Sequence, residues 1–382
     1  MEELARESIS LLASTSAKPP LDVGPRLGSM GAVFIMLKSA LGAGLLNFPW
    51  AFARAGGVRS AVTVELISLV FLISGLIILG YSSSISRQHT YQAVVKELCG
   101  TAIGQLCEIC FIFNLFMISV AFLVVVNDQL EKLCNTLYEL VTALPKSEMP
   151  YHFYTDHRFA LVLLCFFLIM PMSIPKEILP TEEFLFSQCH EASIAIYSSM
   201  ENQRLSHWAF VSVVAMIICL IIYSLTGVYG YLTFGKTVAP DILMSYSNHD
   251  KLMLVARLLF GVSIITIYPI IVLLGRSVIQ DPLLSRWRRR DEALMVKFEC
   301  RSRWVLTVLW IMTTLLIAVF VPDISKVISV IGGISAFFIF IFPGRDLVII
   351  TLTIWGAVTL ICGAFIFGQS TTVAVMELLG KI

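Results

Sequence analysis

The chain has little charge: of its 382 residues only 14% are Asp, Glu, Lys or Arg, against roughly a quarter in a soluble domain. That shortfall excludes water as the main solvent, and a hydrophobic share of 57% with a mean hydropathy of +0.86 says what replaces it. A net charge of +1 excludes the basic stripe of a nucleic-acid binder, so no nucleic-acid partner is expected. H-E-x-x-H, G-x-S-x-G and the Walker lysine loop do not occur, so the chain reads as no enzyme, with no cofactor and no resident metal. Its nine cysteines form no paired framework and sit mostly inside apolar runs as small core residues. Cys107-x-x-Cys110 has the spacing of a metal or redox pair, but it lies in a hydrophobic stretch without a second ligand pair, and packing is its plainer role. The first 28 residues mix acids, bases and prolines without an apolar h-region, which predicts a cytoplasmic arm and a first span that acts as its own insertion signal. In that arm Glu7-Ser-Ile-Ser-Leu11-Leu12 matches a short acidic dileucine sorting pattern.

What the chain does have is long apolar runs. A helix needs about 20 apolar residues to cross a bilayer. The runs 30–51, 60–82, 102–126, 207–232, 252–275 and 346–368 meet that length, and 159–174, 304–321 and 326–342 approach the lower limit. Lipid offers the backbone no hydrogen-bond partner, so these nine runs are expected as helices, with a half-length helix at 187–200. Orientation follows from Lys and Arg near the membrane ends. Between Arg276 and Arg303 lie Arg286, Arg288, Arg289, Arg290, Lys297 and Arg301, whereas Asp128 to Asp156 is mostly acidic; the first segment is expected inside and the second outside. This places the N-terminus in the cytoplasm and the short tail at 378–382 on the other side, with Arg54 and Arg59 as a minor exception.

The first span carries the strongest chemical signals. Gly42-Ala43-Gly44 lets the backbone leave helical geometry or approach another helix, and Pro49 removes a hydrogen bond just beyond. A span unwound at the midplane exposes N–H groups that hold a substrate carboxylate and carbonyls that hold a cation, while small residues at this spacing equally serve helix packing. Lys38 lies near the bilayer centre, where a charge costs ~3 kcal/mol, and should face the bundle interior. It either pairs with Glu65 or Glu108, or occupies a coupling-cation site. Ser263 and Thr266 stand one turn apart before Pro269, as hard oxygen ligands for an alkali cation or as hydroxyls bonded back to their own helix. Gly332-Gly333 is a further flexible or close-packed point, and Tyr81, Asn114, Tyr223 and Tyr229 are polar groups that no spacing links. Gln188-Cys189-His190-Glu191 reads, unaided, as an interfacial polar cluster with a His beside a Glu.

Leu41-Gly-Ala-Gly-Leu-Leu-Asn-Phe-Pro49, Ile73-Ser-Gly-Leu-Ile-Ile-Leu-Gly80, Gln188-Cys-His190, Gly230-Tyr-Leu-Thr-Phe-Gly235, Pro322-Asp-Ile-Ser325, Ile331-Gly-Gly333 and Phe365-Ile-Phe-Gly-Gln369 occur in order between residues 29 and 377. Together they resemble the sodium-coupled neutral amino acid transporters of the amino acid and auxin permease group. The resemblance implies an all-α polytopic membrane protein with a LeuT-like inverted-repeat fold of eleven spans over 29–377, and cation-coupled uptake of neutral amino acids such as glutamine and alanine. By the same resemblance, Gly42, Ala43 and Gly44 with Ser39, Gln188 and His190 would bind substrate, and Lys38, Ser263 and Thr266 would serve cation coupling, by sodium or proton. Lys38 falls where many relatives have an asparagine proposed to bind sodium, so a built-in ammonium could replace the ion. The plasma membrane is the expected location, with lysosomal or endosomal membrane as the alternative.

One departure is large. Between Ile178 and Gln188 the family would have a fifth span, an outer loop and the first half of a broken sixth span, leaving about nine spans and a half-helix here instead of eleven. A second reading follows: a shortened chain that inserts in the membrane, does not transport, and associates with full-length transporter.

Overall fold

The computed structural model describes residues 27–42, 44–142, 156–175, 189–247, 250–287, 292–321, 324–341 and 353–378. Ala43, Gln188, most of the arm at 1–28, the departure at Ile178 and the tail at 379–382 lie outside them. The described residues form helices: α1 (Ser29–Ala40), α2 (Gly44–Arg54), α3 (Val58–Ser86), α4 (Tyr91–Cys99), α5 (Thr101–Thr142) and α6 (His157–Leu164), which runs through a π turn at Cys165–Ile169 into α7 (Met170–Ser173). Then come α8 (Cys189–Ser199), α9 (Leu205–Phe234), α10 (Ile242–Ser245), α11 (Lys251–Trp287), α12 (Glu292–Phe320), α13 (Ile324–Ala336) with a π turn at Phe337–Ile341, and α14 (Thr353–Leu378).

Among the described residues, six stretches are long and apolar enough to cross a membrane: Val58–Ser86, Thr101–Thr136, Leu205–Thr237, Lys251–Gln280, Lys297–Phe320 and Ile354–Val373. Ser29–Lys38, His157–Ser173 and Ile324–Phe340 are shorter apolar helices. Their outer faces carry apolar stripes at helical spacing, such as Val64, Ile67 and Val70 on α3 and Leu309, Met312 and Leu316 on α12, which suit lipid and not water. The chain is an all-helical polytopic membrane protein. The run 30–51, long enough by composition to be one span, is two half-length helices, α1 and α2.

Lipid gives helices no hydrophobic reason to associate with one another, so shape and polar contacts hold the bundle. Two apolar cores result. In the first, the buried run Val120 to Val126 of α5 meets Ile264, Tyr268 and Val272 of α11, Trp310 and Leu315 of α12, and Ile324 and Val327 of α13. The Tyr268 hydroxyl and Thr314 Oγ1 bond at 2.6 Å, and Trp310 Nε1 donates to Ser119 Oγ at 3.1 Å. The second core joins Ala32 and Met36 of α1, Leu76 of α3, Ile196 of α8, and Trp208 and Ala215 of α9. Here Trp208 Nε1 donates to the Leu76 carbonyl at 2.8 Å, and the indole fills the space above Gly80.

The two ends of the bundle are tied differently. At one end, Leu27 forms an isolated parallel bridge with Met200: its N–H donates to Ser199 O and its carbonyl accepts from Glu201 N, both at 3.0 Å. Ser29 Oγ and His207 Nε2 add a bond at 2.9 Å. At the other end of α9, Asn47 Nδ2 of α2 donates to Pro240 O at 2.9 Å, beside Asp241, which caps α10 through the Leu243 N–H. Gln129 Nε2 of α5 reaches Asp241 Oδ2 at 2.7 Å, and the fully buried Arg257 of α11 donates to Leu243 O and Tyr246 O. This polar cluster joins α2 to both α5 and α11.

Helix α2 lies on α9 because α9 has glycine where α2 has bulk. Added Cβ atoms would sit 2.5 Å from Phe52 at Gly227, and 2.5 Å from Pro49 and Ile242 at Gly230. Gly230→Val should therefore cost about 1–3 kcal/mol of packing and lower the thermal midpoint of the detergent-solubilised protein, read by fluorescence-detected size exclusion. A midpoint equal to wild type would show that α2 does not rest on α9.

Burial pushes the Asp241 carboxyl up from its ordinary 3.8 to about 6, against the opposing Leu243 N–H, Arg257 charge and Gln129 amide. The folded chain holds this proton more tightly than the unfolded one, so the group's stabilisation is full below about pH 4 and is lost as pH rises through about 6. Asp241→Asn should remove that component from a melting series across this window, and a series parallel to wild type would contradict it.

Candidate functional site

The break between α1 and α2 is the centre of the site. Leu41 N still bonds to Leu37 O at 2.8 Å, but Gly42 N turns to Ala40 O at 3.0 Å and Leu45 N to Gly42 O at 3.1 Å. The Ala40 carbonyl also accepts the Tyr223 hydroxyl of α9 at 2.7 Å, and the Tyr223 ring packs on Phe48 with centroids 4.4 Å apart. The glycines at the break are not close-packed: a Cβ at Gly42 or Gly44 would meet nothing within 4 Å. Of the two roles open to them, leaving helical geometry is the one the local packing supports. At Gly333 the balance is opposite, since a Cβ there would meet Ser370 Cβ of α14 at 3.2 Å.

The open space is a cavity of about 710 Å³ between the two cores, within the usual range of about 300–1,000 Å³ for small-ligand sites. Lys38, Leu41, Gly42, Gly44, Phe48 and Phe52 line it from the broken span, Glu65, Ser68 and Leu72 from α3, Ile118 and Phe122 from α5, and Tyr223 and Leu220 from α9. Ile267 and Ile271 of α11 and Ile328, Ile331 and Ser335 of α13 complete it. Among the described residues of this lining, Lys38 and Glu65 are the only charged side chains. Glu65 Oε2 accepts a short hydrogen bond from Ser224 Oγ, and Oε1, sealed from water, has no partner among the described residues.

The structure thus brings Lys38, Gly42 and Gly44 to one cavity. Ser39 and His190 lie in α1 and α8 with side chains outside the described set. Ser263 and Thr266 are on the exposed face of α11, away from the cavity, and Thr266 Oγ1 donates to Ser263 O at 2.8 Å. α11 presents Ile267 and Ile271 to the cavity instead. Glu108 is not in the lining, so of the two carboxylates weighed for Lys38 only Glu65 shares its cavity. Sequence reasoning missed Tyr223 as the partner of the break, and the cluster of Asn47, Gln129, Asp241 and Arg257. Arg257 was the one available signal, as a charge inside the apolar run 252–275.

Comparison with known proteins gives the family. The profile described as transmembrane amino acid transporter protein matches residues 26–179 and 184–376, so the match is interrupted at 180–183. A Xenopus tropicalis protein with the provisional name sodium-coupled neutral amino acid transporter 8 is 55% identical, with both chains covered in full. That alignment runs over 445 positions against the chain's 382 residues, so 63 positions hold no residue of this chain. The Homo sapiens solute carrier family 38 member 8 is 48% identical over 94% of this chain and 96% of its own. The Danio rerio sodium-coupled neutral amino acid transporter 7 is 36% identical over 95% and 91%. These are transporters and not enzymes, and with the profile match over most of its length the chain belongs to the transmembrane amino acid transporter family, grouped with its members named sodium-coupled neutral amino acid transporters.

Proposed function

We propose that the chain carries out secondary active transport of a neutral amino acid of the glutamine or alanine kind, coupled to a cation, through the cavity at the broken first span. The observation that carries this reading is the break itself, opening on a cavity with one basic side chain at its edge. A substrate carboxylate has Lys38 and the first N–H groups of α2 to meet it. A substrate ammonium has carbonyls at the end of α1. Apart from Glu65, whose carboxyl is bonded to Ser224, the remaining walls are mostly Ile, Leu, Phe and Ala, which offer no counter-charge to a charged side chain and so favour a neutral one. A LeuT-like inverted-repeat arrangement, a cytoplasmic N-terminus and a plasma membrane location belong to the same reading, with a lysosomal or endosomal membrane as the alternative. Ser39, Gln188 and His190 join the substrate site by the family resemblance. Lys38 stands in for the coupling sodium.

The second reading is a shortened chain that inserts without transporting and associates with full-length transporter. It is favoured by the profile interruption at 180–183, inside the stretch from Ile178 to Gln188, together with the 63 positions that lack a residue of this chain.

Proteoliposomes separate the two. Saturable uptake of labelled glutamine or alanine is expected under the first reading; no uptake under any sodium or proton gradient, with co-purification of a full-length relative, is expected under the second. If the Lys38 ammonium replaces sodium, wild-type uptake should not need sodium and Lys38→Asn should introduce the need. Equal sodium dependence in both would remove that role.

A further inference from the structure

The carboxyl of Glu65 has no use in the account above, and its setting is unusual. It lies on α3, a helix apolar enough to span the membrane, about 10 Å along the axis from the first residue, Val58. Its neighbours Leu66 and Ile67 are exposed apolar side chains suited to lipid, yet Glu65, like Val64, lines the cavity. One oxygen is held by Ser224 Oγ of α9, and the other is buried without a partner among the described residues.

We propose that Glu65 is the proton-carrying group of the cavity, holding a proton on Oε1 where water does not reach that oxygen and releasing it when water gains access to it. An anionic oxygen in a membrane span needs a cation, because neither water nor a donor neutralises it. Substrate ammonium and hydrated sodium are both bulkier than water and have no access to an atom that water does not touch. A proton does. In the step itself the Oε1–H bond breaks, its electron pair stays on the carboxylate, and the proton passes to water admitted to the cavity. Ser224 is placed to stabilise the anion that remains, since it already donates to Oε2.

Few other groups compete for the role. Among the cavity lining, α1 supplies Lys38 and α9 supplies Tyr223 and Cys219 as titratable side chains, while α2, α5, α11 and α13 supply none. Tyr223 is engaged with the Ala40 carbonyl. The helices α4 and α8 also touch α3. Their contacts are near its far end, where Ser83 Oγ bonds to Gln88 O just before α4 and Tyr197 of α8 lies by Ser84.

The proposal rests on the cavity being the amino acid site, and the test reads the two separately. Binding of glutamine and alanine to the purified full chain is measured by titration calorimetry across pH, in two buffers of different ionisation heat, with sodium varied at each pH. Wild type should exchange a proton on binding, and its affinity should change with pH by up to about tenfold per unit. Glu65→Gln should bind with no proton exchange and a flat pH profile, while any sodium dependence stays as in wild type. Ser224→Ala, which keeps the carboxyl, should move the midpoint of the profile to higher pH, and serves if Glu65→Gln does not fold. Wild-type binding without proton exchange, proton exchange that survives Glu65→Gln, a Ser224→Ala midpoint equal to wild type, or a loss of sodium dependence in place of pH dependence would each overturn the role of Glu65 and leave the amino acid site standing. No amino acid binding by wild type at any pH would overturn the site, and the proposal with it.

Discussion

Everything distinctive in this fold follows from a constraint on the backbone: in lipid, each N–H and C=O must find a partner inside the protein. Continuous helices meet it without help. The first span does not, because α1 stops at Ala40 and α2 starts at Gly44, and the interruption persists only because other elements answer it. Tyr223 takes the Ala40 carbonyl from α9, and turn-like bonds of Gly42 and Leu45 take up part of the rest. Leu41, Gly42 and Gly44 of the break line the cavity. The same shortage of partners that makes a break costly makes its remaining polar groups reactive toward a polar ligand.

The position of the break relative to the two cores gives it mechanical meaning. α1 belongs to the core built with α3, α8 and α9, and α2 is bound to α9 by glycines that admit Pro49 and Phe52. α5, α11, α12 and α13 form the other core. The cavity lies between them, with lining residues from both. At one end the seam is crossed by the polar cluster of Asn47, Gln129, Asp241 and Arg257, whose bonds are few and directional. In lipid, interhelical polar bonds of this kind add to the van der Waals packing that holds helices together.

Much of this was legible in the sequence, because span length and glycine placement are local properties. Low charge and long apolar runs gave an all-helical membrane protein, and Gly42 with Gly44 marked the break. That those glycines are not close-packed is visible only in the empty space beside them. Lys38, which lines the cavity, stood out in the sequence for the same reason that the buried Arg257 should have: each is a cation in an apolar run. The face of α11 was not readable. Ser263 and Thr266 are polar on a helix of apolar residues, which suggests an interior site, yet a hydroxyl satisfied by its own helix can face outward, as Thr266 does. Long-range partners such as Tyr223 with Ala40 leave no pattern in one sequence, since 183 residues separate them and either side chain alone looks ordinary. Ala43 and Gln188 lie outside the described residues, so their part in the site rests on the motif alone.

The bridge between Leu27 and Met200 gives the N-terminal arm a handle on the membrane domain. Its two backbone bonds couple the chain just before α1 to the turn between α8 and α9. A pull on the arm would therefore be felt as torque at the start of two helices at once, α1 and α9, which between them hold the Ala40 carbonyl and the tyrosine that caps it. Whatever holds the chain at Leu27 holds a lever whose short end is the break in the first span.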